Sequence, residues 1–500
     1  MTATFARVAP YAEDNPRVER LNKLLVDLIC REGLPFSLVD SDAFREFVHE
    51  LDPRYRIPDR HALSERLVLQ RYETVKSDIQ ASLSKSPAHA ITTDMWTSSN
   101  NFSYMGVTAH WLDDEFSIHN KCLAVRPAPG SHTADFISTE LDAVLTEWSI
   151  PTATVTAVTD SGANVKKALA NMAVERWRPC FAHTLQLCVN GSLTQKEVSE
   201  LPKIMAKARA IVGHFRRSPL ATTQLERAQQ QLDLPRHKLL QDCATRWNSQ
   251  CVMLERLLEQ RDAVSLVLAS VPTVKNLSAQ QWSTAAELTS TLRPFLEVTT
   301  LMSGASYPTI SMIVPVVDGL QHLLKNTAGG LDVLRSVLAR MVQDKFGDVF
   351  DDDQLCVATV VDPRFKLAPF DHADRRQRAV EATVRAMEKM MPSSAASAPT
   401  PDQSTAVVAD QPAAPLSLWS KLDMASTQAP TSNTTDSHQD ILRRELQQFT
   451  DVAVIDRTVL CRGGPGTRLP TRQWQLWRDV CWLSQPRLCR ANACFPRQAM

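Results

Sequence analysis

Two aspartates stand at the ends of short β-prone runs, and both are followed by small polar residues. The first is Asp94, in Ala90-Ile-Thr-Thr-Asp-Met-Trp-Thr-Ser-Ser-Asn-Asn101. The second is Asp160, in Val155-Thr-Ala-Val-Thr-Asp-Ser-Gly-Ala-Asn164. Two carboxylates at neighbouring strand ends are the minimum for placing Mg²⁺ or Mn²⁺, hard cations that take oxygen ligands and keep several waters. Two-ion phosphoryl chemistry uses such ions to activate the attacking oxygen and steady the leaving one, and a third carboxylate normally serves the second ion. The plainer reading of each Asp is a turn former or helix N-cap, and Asp160 before Ser-Gly-Ala-Asn suits that role. Cys180-Phe-Ala-His183 has half the spacing of a zinc site, with no second pair nearby. Its alternative is a core thiol beside a hydrogen-bonded histidine. Asp242-Cys-Ala-Thr-Arg246-Trp247-Asn-Ser249 opens a helical pattern. There Trp247 is either a buried cap residue or an indole for stacking on a base, with Arg246 for a phosphate.

The elements that must position these residues are legible in outline. Asn15-Pro16 reads as an N-cap with proline at the first helical position, opening an amphipathic helix to about Arg31. Further helices are predicted over Ser41–Leu51 and His61–Leu83. Together they form a small helical module over residues 14–85. It is either a packing bundle or a DNA-gripping arm carrying Arg54, Arg56, Arg60, Arg66 and Arg71. Strand patterns follow at Ala88–Trp96, Tyr104–Leu112 and Ser117–Val125, an antiparallel meander. A helix over Thr133–Trp148, a strand over Val155–Thr159 and a helix over Asn164–Met172 come next. Pro179–Val189 is a short strand or a helix start. The fold class is α/β: a mixed sheet with helices on its faces, spanning 86–198, in which the ends of the first and fourth strands can meet.

Residues 199–392 read as all-helical, with helices over Leu201–Phe215, Arg246–Ala269, Ser278–Met302, Ile310–Lys325, Val333–Phe346 and Arg375–Met391. Residues 393–438 are rich in Ser, Ala, Pro and Thr and read as a disordered linker. A short helix is predicted over Gln439–Phe449, within a segment 439–457. The last 43 residues, 458–500, hold seven Arg, no Lys, one acidic residue, four Cys and three Trp. Their poor periodicity sets them apart as an aberrant tail, expected to be disordered.

Composition narrows the function classes. At 500 residues the chain is too long for one core. Lys plus Arg equals Asp plus Glu at 55 each, so only local patches can attract a polyanion. No apolar run reaches the roughly 18–20 residues of a membrane span, so no membrane partner is expected. The eleven cysteines include no Cys-x-x-Cys pair and read as reduced thiols of a cytosolic or nuclear protein.

Taken in order, five motifs resemble the hAT superfamily of cut-and-paste DNA transposases, with the BED-zinc-finger branch of domesticated relatives nearest. They are Thr-Thr-Asp94-Met-Trp-Thr-Ser, Val-Thr-Asp160-Ser-Gly-Ala-Asn, Cys180-x-x-His183-x-Leu-Gln-Leu, Thr-Arg246-Trp247-Asn-Ser and Val361-Asp362-Pro-Arg-Phe-Lys366. The resemblance covers roughly residues 15–390. It implies a ribonuclease-H-like domain interrupted by a long helical insertion, and an Asp-Asp-Glu triad that binds metal and cuts DNA. Asp94 and Asp160 match the two aspartates. Trp247 matches the Trp that stacks on a flipped base, and Cys180 with His183 matches a pair near the active site.

The chain departs from that pattern at both ends. The family's third carboxylate, in a Ser-Glu-Arg context, is not found. The last Glu is Glu445, on a Leu-Arg-Arg-Glu-Leu-Gln helix ahead of where the family's C-terminal dimerisation segment begins. No BED-type zinc finger precedes Asn15, and homodimerisation is expected to fail with the segment that carries it. The leading expectation is a nuclear, DNA-associated, transposase-derived protein without catalysis, acting in DNA binding or transcription regulation, with at most a weak Mg²⁺ or Mn²⁺ site at Asp94 and Asp160. The alternatives are an active transposase whose C-terminus is wrong in this reading frame, and a protein-interaction scaffold built on the helical insertion.

Overall fold

β-branched and aromatic residues cluster between 89 and 127, and there the backbone goes extended. The structure, a computed structural model, describes residues 9–113, 115, 117–243, 246–304, 307–326, 330–390 and 438–451. Five strands form one sheet: β1 (His89–Thr97), β2 (Ser103–Leu112), β3 (Ile118–Pro127), β4 (Val155–Thr159) and β5 (Arg176–Pro179). Their order is β3-β2-β1-β4-β5. β1 and β3 both pair antiparallel with β2, while β4 runs parallel to both β1 and β5. This is the mixed α/β sheet of the ribonuclease-H-like class, and the first and fourth strands are neighbours as expected.

Register follows from which face is apolar. Ile91, Met105, Val107, Ala109 and Trp111 point to one face and pack with Leu141, Val144 and Leu145. Those three lie on α4 (Ala134–Glu147), which with α5 (Ala163–Asn171) covers that side. The opposite face carries Val158, which packs on Phe181 of α6 (Phe181–Leu193). Pro179–Val189, left open between strand and helix, therefore divides: β5 ends at Pro179 and α6 begins two residues later.

The amino-terminal helices are α1 (Pro16–Glu32), α2 (Asp42–Leu51) and α3 (Val68–Leu83), the last entered through a wide turn at Ala62–Leu67. Asn15 caps α1, its side chain accepting from the Arg17 amide at 2.9 Å. Leu25, Val26, Ile29, Val39 and Leu63 form a small core of their own. Lys76 of α3 reaches Glu147 of α4 at 2.9 Å and ties the module to the sheet. Two of the five arginines read as a DNA-gripping arm turn out to be engaged internally. Arg71 holds Asp27 of α1 at 2.9 Å, and Arg54 lies over the Tyr11 ring at 4.3 Å. Arg56, Arg60 and Arg66 remain exposed.

Beyond α6 the chain is helical: α7 (Glu200–Arg217), α8 (Pro219–Gln231), α9 (Trp247–Glu259), α10 (Arg261–Leu268), α11 (Ala279–Met302), α12 (Ile313–Asn326), α13 (Asp332–Phe346), α14 (Asp353–Val361), α15 (Ala373–Met390) and α16 (His438–Asp451). One apolar cluster runs through them from Val158 to Phe449. Three expectations are corrected here. The single helix over Arg246–Ala269 is two, broken at Gln260. That buried side chain accepts from Gln229 at 2.9 Å and donates to the Pro235 carbonyl at 3.1 Å. α8 went unread although Ser218-Pro219 is a cap-plus-proline start; Ser218 accepts from the Ala221 amide at 3.2 Å. α14 carries no periodic signature, because Leu355 to Val361 are all buried and a helix apolar on every side has no 3.6-residue stripe. Residues 393–437 and 458–500, expected to be a linker and an aberrant tail, lie outside the described residues.

One bidentate ion pair ties the helices to the sheet. Arg178 of β5 donates to Asp352 at the start of α14, through Nη1 at 2.5 Å and Nη2 at 2.8 Å. Asp352 in turn caps α14 by accepting from the Leu355 amide at 3.0 Å.

Candidate functional site

The parallel pairing of β1 with β4 decides the geometry. Thr92 and Val158 are the last partners in the ladder. Asp94 and Asp160 each lie two residues further along, so the pleat turns both side chains to the same face. That is the face occupied by α6 and the helical region. A cavity of about 360 Å³ opens at this end of the sheet, lined by Asp94, Asp160, His132, Ile137, Gly162 and Asn164 among others.

Each carboxylate is held from one side. Asp94 Oδ1 accepts from the Met95 amide at 2.9 Å. Asp160 Oδ1 accepts from the Gly162 amide at 3.0 Å. The anticipated N-cap role for Asp160 is not the one it takes. Gly162 is the residue at the cap of α5, and no side chain caps that helix. Gly162 lets the chain pass close to the carboxylate: a Cβ there would stand 3.1 Å from Asp160 Oδ1, a tight contact.

Burial pushes the Asp94 carboxyl above its ordinary range. The Met95 amide pulls it back, the Asp160 charge adds to the push, and His183 and Arg246 oppose it. One group thus reads out the whole constellation: Asp160, His183 and Arg246 all lie within electrostatic reach of Asp94. Cys180 joins them. Burial drives its thiol upward against the amides of His183 and Ala182, and the charges of Asp94 and Asp160 drive it further. A thiol so placed stays protonated, which suits a packed residue rather than a zinc ligand. Among the described residues, no group of three or more His, Cys, Asp or Glu side chains is arranged to hold a metal ion.

Asp94→Asn is expected to stabilise the fold at neutral pH by about 0.5–2 kcal/mol, the usual size of a change that trades function for stability. The sign follows from linkage. A carboxyl raised in the folded state binds its proton more tightly there than in the unfolded chain. Its stabilising protonated form is therefore present at low pH and lost as pH rises through the folded value. Thermal melts of both proteins should diverge above that pH and converge below it; parallel curves would contradict the assignment.

The Arg246–Trp247 pair divides. Arg246 is exposed and near Asp94. Trp247 is only 1% exposed and belongs to the apolar core of the helical region. Its indole has no face to offer a base in this conformation, so the stacking role expected of it is not what the structure presents. The loop before them is anchored at Asp242, whose buried carboxylate takes Arg209 of α7 at 2.7 Å. Ser249 then clasps the turn, accepting from the Cys243 amide at 2.8 Å and donating to the Arg246 carbonyl at 2.6 Å.

An aromatic shelf that sequence reasoning did not single out stands beside the carboxylates. Trp96 and Tyr104 are cross-strand partners, two residues beyond the Asp94–Gly106 pair. Their rings stack at 5.7 Å with 23° between planes. The indole lies back over Gly106, where a Cβ would meet its Cζ3 at 3.0 Å. The signal was present in the Asp-x-Trp spacing, since residues two apart on a strand share a face.

This architecture has relatives. Residues 92–178 match the family model described as the ZBED1 RNase-like domain, and residues 178–291 match that of the ZBED1 RNase-like helical domain. The human Zinc finger BED domain-containing protein 4 is 26% identical over 382 residues, covering 73% of this chain and 32% of that protein. A maize protein named "Putative AC transposase" is 27% identical over 408 residues, covering 77% of this chain and 50% of its own length. The rice Zinc finger BED domain-containing protein RICESLEEPER 2 is 24% identical over 398 residues, covering 75% and 54%. The chain spans about a third to a half of the length of these relatives. The strand-end aspartates, the helical region that follows them and these matches together support a BED-type, hAT transposase-derived protein.

Proposed function

We propose that this chain is a nuclear DNA-associated protein that binds DNA or regulates transcription and does not cut strands. The observation that carries the reading is the Asp94–Asp160 pair, set in register on parallel strands with Arg246 within electrostatic reach of Asp94. A guanidinium beside two carboxylates suits a phosphate backbone bridged to the pair by a cation. The exposed Arg56, Arg60 and Arg66 add positive charge on the amino-terminal module. Relatives whose names include a transposase and a transcriptional regulator support the same class.

The two carboxylates fit a single hard divalent ion whose remaining ligands are water, and Asp94's crowding by Asp160 is what such an ion would relieve. When bound, it would supply Lewis-acid polarisation of a phosphate oxygen. Two-ion strand cleavage takes a further carboxylate. Glu445 sits on α16, which packs along α15 with Lys366 over its Phe449 ring. Loss of one of several jointly acting groups removes most of a rate enhancement.

The test is DNA binding across a salt series. Affinity should fall steeply with salt, and Arg246→Ala should lower the slope of log affinity on log salt by about 1. Binding that ignores salt would favour the scaffold reading. A Mg²⁺-dependent nicking activity abolished by Asp94→Ala would overturn the claim of inactivity.

A further inference from the structure

A second cavity, of about 520 Å³, lies between α7, α8 and the loop 232–240. Its floor is apolar: Phe215, Leu225 and Leu239 are all buried. Its rim is basic: Arg216, Arg236 and Lys238 are exposed among the lining residues, where Glu226 is the acid, while nearby Glu259 is paired with Arg256 and Asp233 stands on the loop. The loop is pinned in place. Gln229, 1% exposed, donates to the His237 carbonyl at 2.9 Å, and Arg256 donates to the Lys238 carbonyl at 3.0 Å. His237 is held by Glu259 at 2.9 Å. In a chain of zero net charge such a local surplus is what attracts a polyanion.

The cleft and Asp242, on the loop ahead of Arg246, both lie against α7. Asp242 is tied to Arg209 on α7. Arg216 is seven residues further along the same helix, about 10 Å at the α-helical rise. Residues 236–242 therefore run back along α7 from the cleft to Arg209. At one phosphate per 3.4 Å of each strand, that path spans about three nucleotides.

We infer that a DNA strand held at Asp94 and Asp160 continues into this cleft. Arg216, Arg236 and Lys238 take its phosphates, and the apolar floor receives a sugar or base. The inference rests on the DNA-binding reading above and extends its footprint.

The experiment uses the full chain and a fluorescent oligonucleotide titrated from 50 to 200 mM salt. Arg216→Glu/Lys238→Glu changes two exposed side chains, so the thermal melt should be unaltered. If reversal perturbs folding, Arg216→Gln/Lys238→Gln replaces it. The slope of log affinity on log salt should drop by about 1.5, and affinity at 100 mM by about tenfold or more. Lys325→Glu, an exposed change on α12, should leave both unchanged. Shortening the oligonucleotide by about four nucleotides at the end that enters the cleft should erase the difference between variant and parent. A slope unchanged in the double variant but lowered by Arg246→Ala overturns the cleft and leaves the parent reading standing. Salt-insensitive binding by the unaltered chain overturns both.

Discussion

Asp362→Ala is expected to destabilise the protein by about 3–5 kcal/mol, the cost of leaving a buried charge without its partner. Asp362 and Arg364 are each 3% exposed. The carboxylate accepts from Arg364 Nε at 2.9 Å and Nη2 at 2.6 Å, from the Arg364 amide at 2.9 Å, and from Ser311 Oγ at 2.7 Å. It also closes the end of α14, its amide donating to the Thr359 carbonyl at 3.2 Å. Removing it takes the carboxylate from a buried guanidinium and the acceptor from the Ser311 hydroxyl at once. Ser311→Ala deletes only one neutral partner and should cost about 1 kcal/mol. Replacing both charges by apolar residues, Asp362→Leu with Arg364→Met, should recover much of the loss. Guanidinium unfolding followed by circular dichroism measures all three. A loss below about 1 kcal/mol for Asp362→Ala would show that the cluster is not a structural hub.

Trp247→Ala should cost a similar amount, about 3–5 kcal/mol, because it empties an indole-sized volume from a packed core. Trp247 opens α9 and shares its cluster with Cys251, Leu254 and Leu257 on the same helix. Trp247→Phe leaves most of that volume filled and should cost less. The salt slope of DNA binding should be the same in both variants as in the parent, since the ring touches no phosphate. The opposite outcome is informative: full stability with weakened DNA binding would mean that Trp247 leaves the core to stack on a base.

Much of the architecture can be read from local residues. Asn15-Pro16 starts α1, and Ser278 with Gln281 makes the reciprocal cap of α11. The alternating runs around 104–112 and 118–125 become β2 and β3. Capping and periodicity are short-range physics, so a window of a dozen residues contains them. What a window cannot contain is a partner far away. Arg178 meets Asp352 across 174 residues. Burial on all sides hid α14, and the buried Gln260 that breaks α9 from α10 is explained only by Gln229 and Pro235.

The same division runs through the candidate site. Asp94 and Asp160 were legible as strand ends, and their meeting followed from a topology in which the first and fourth strands are neighbours. The Arg246–Trp247 motif was legible as a helix start, but not which side chain faces the core. That depends on the anchoring of Asp242 to Arg209 and on the helices that close over the indole. By itself, then, the sequence determined the elements, the order of the motifs and the two carboxylates, because these rest on local preference and spacing. Only the tertiary structure decided the rest. Packing buries Trp247, the pleat of paired strands lays Trp96 and Tyr104 beside Asp94, and burial, with the Asp160 charge adding to it, raises the Asp94 carboxyl.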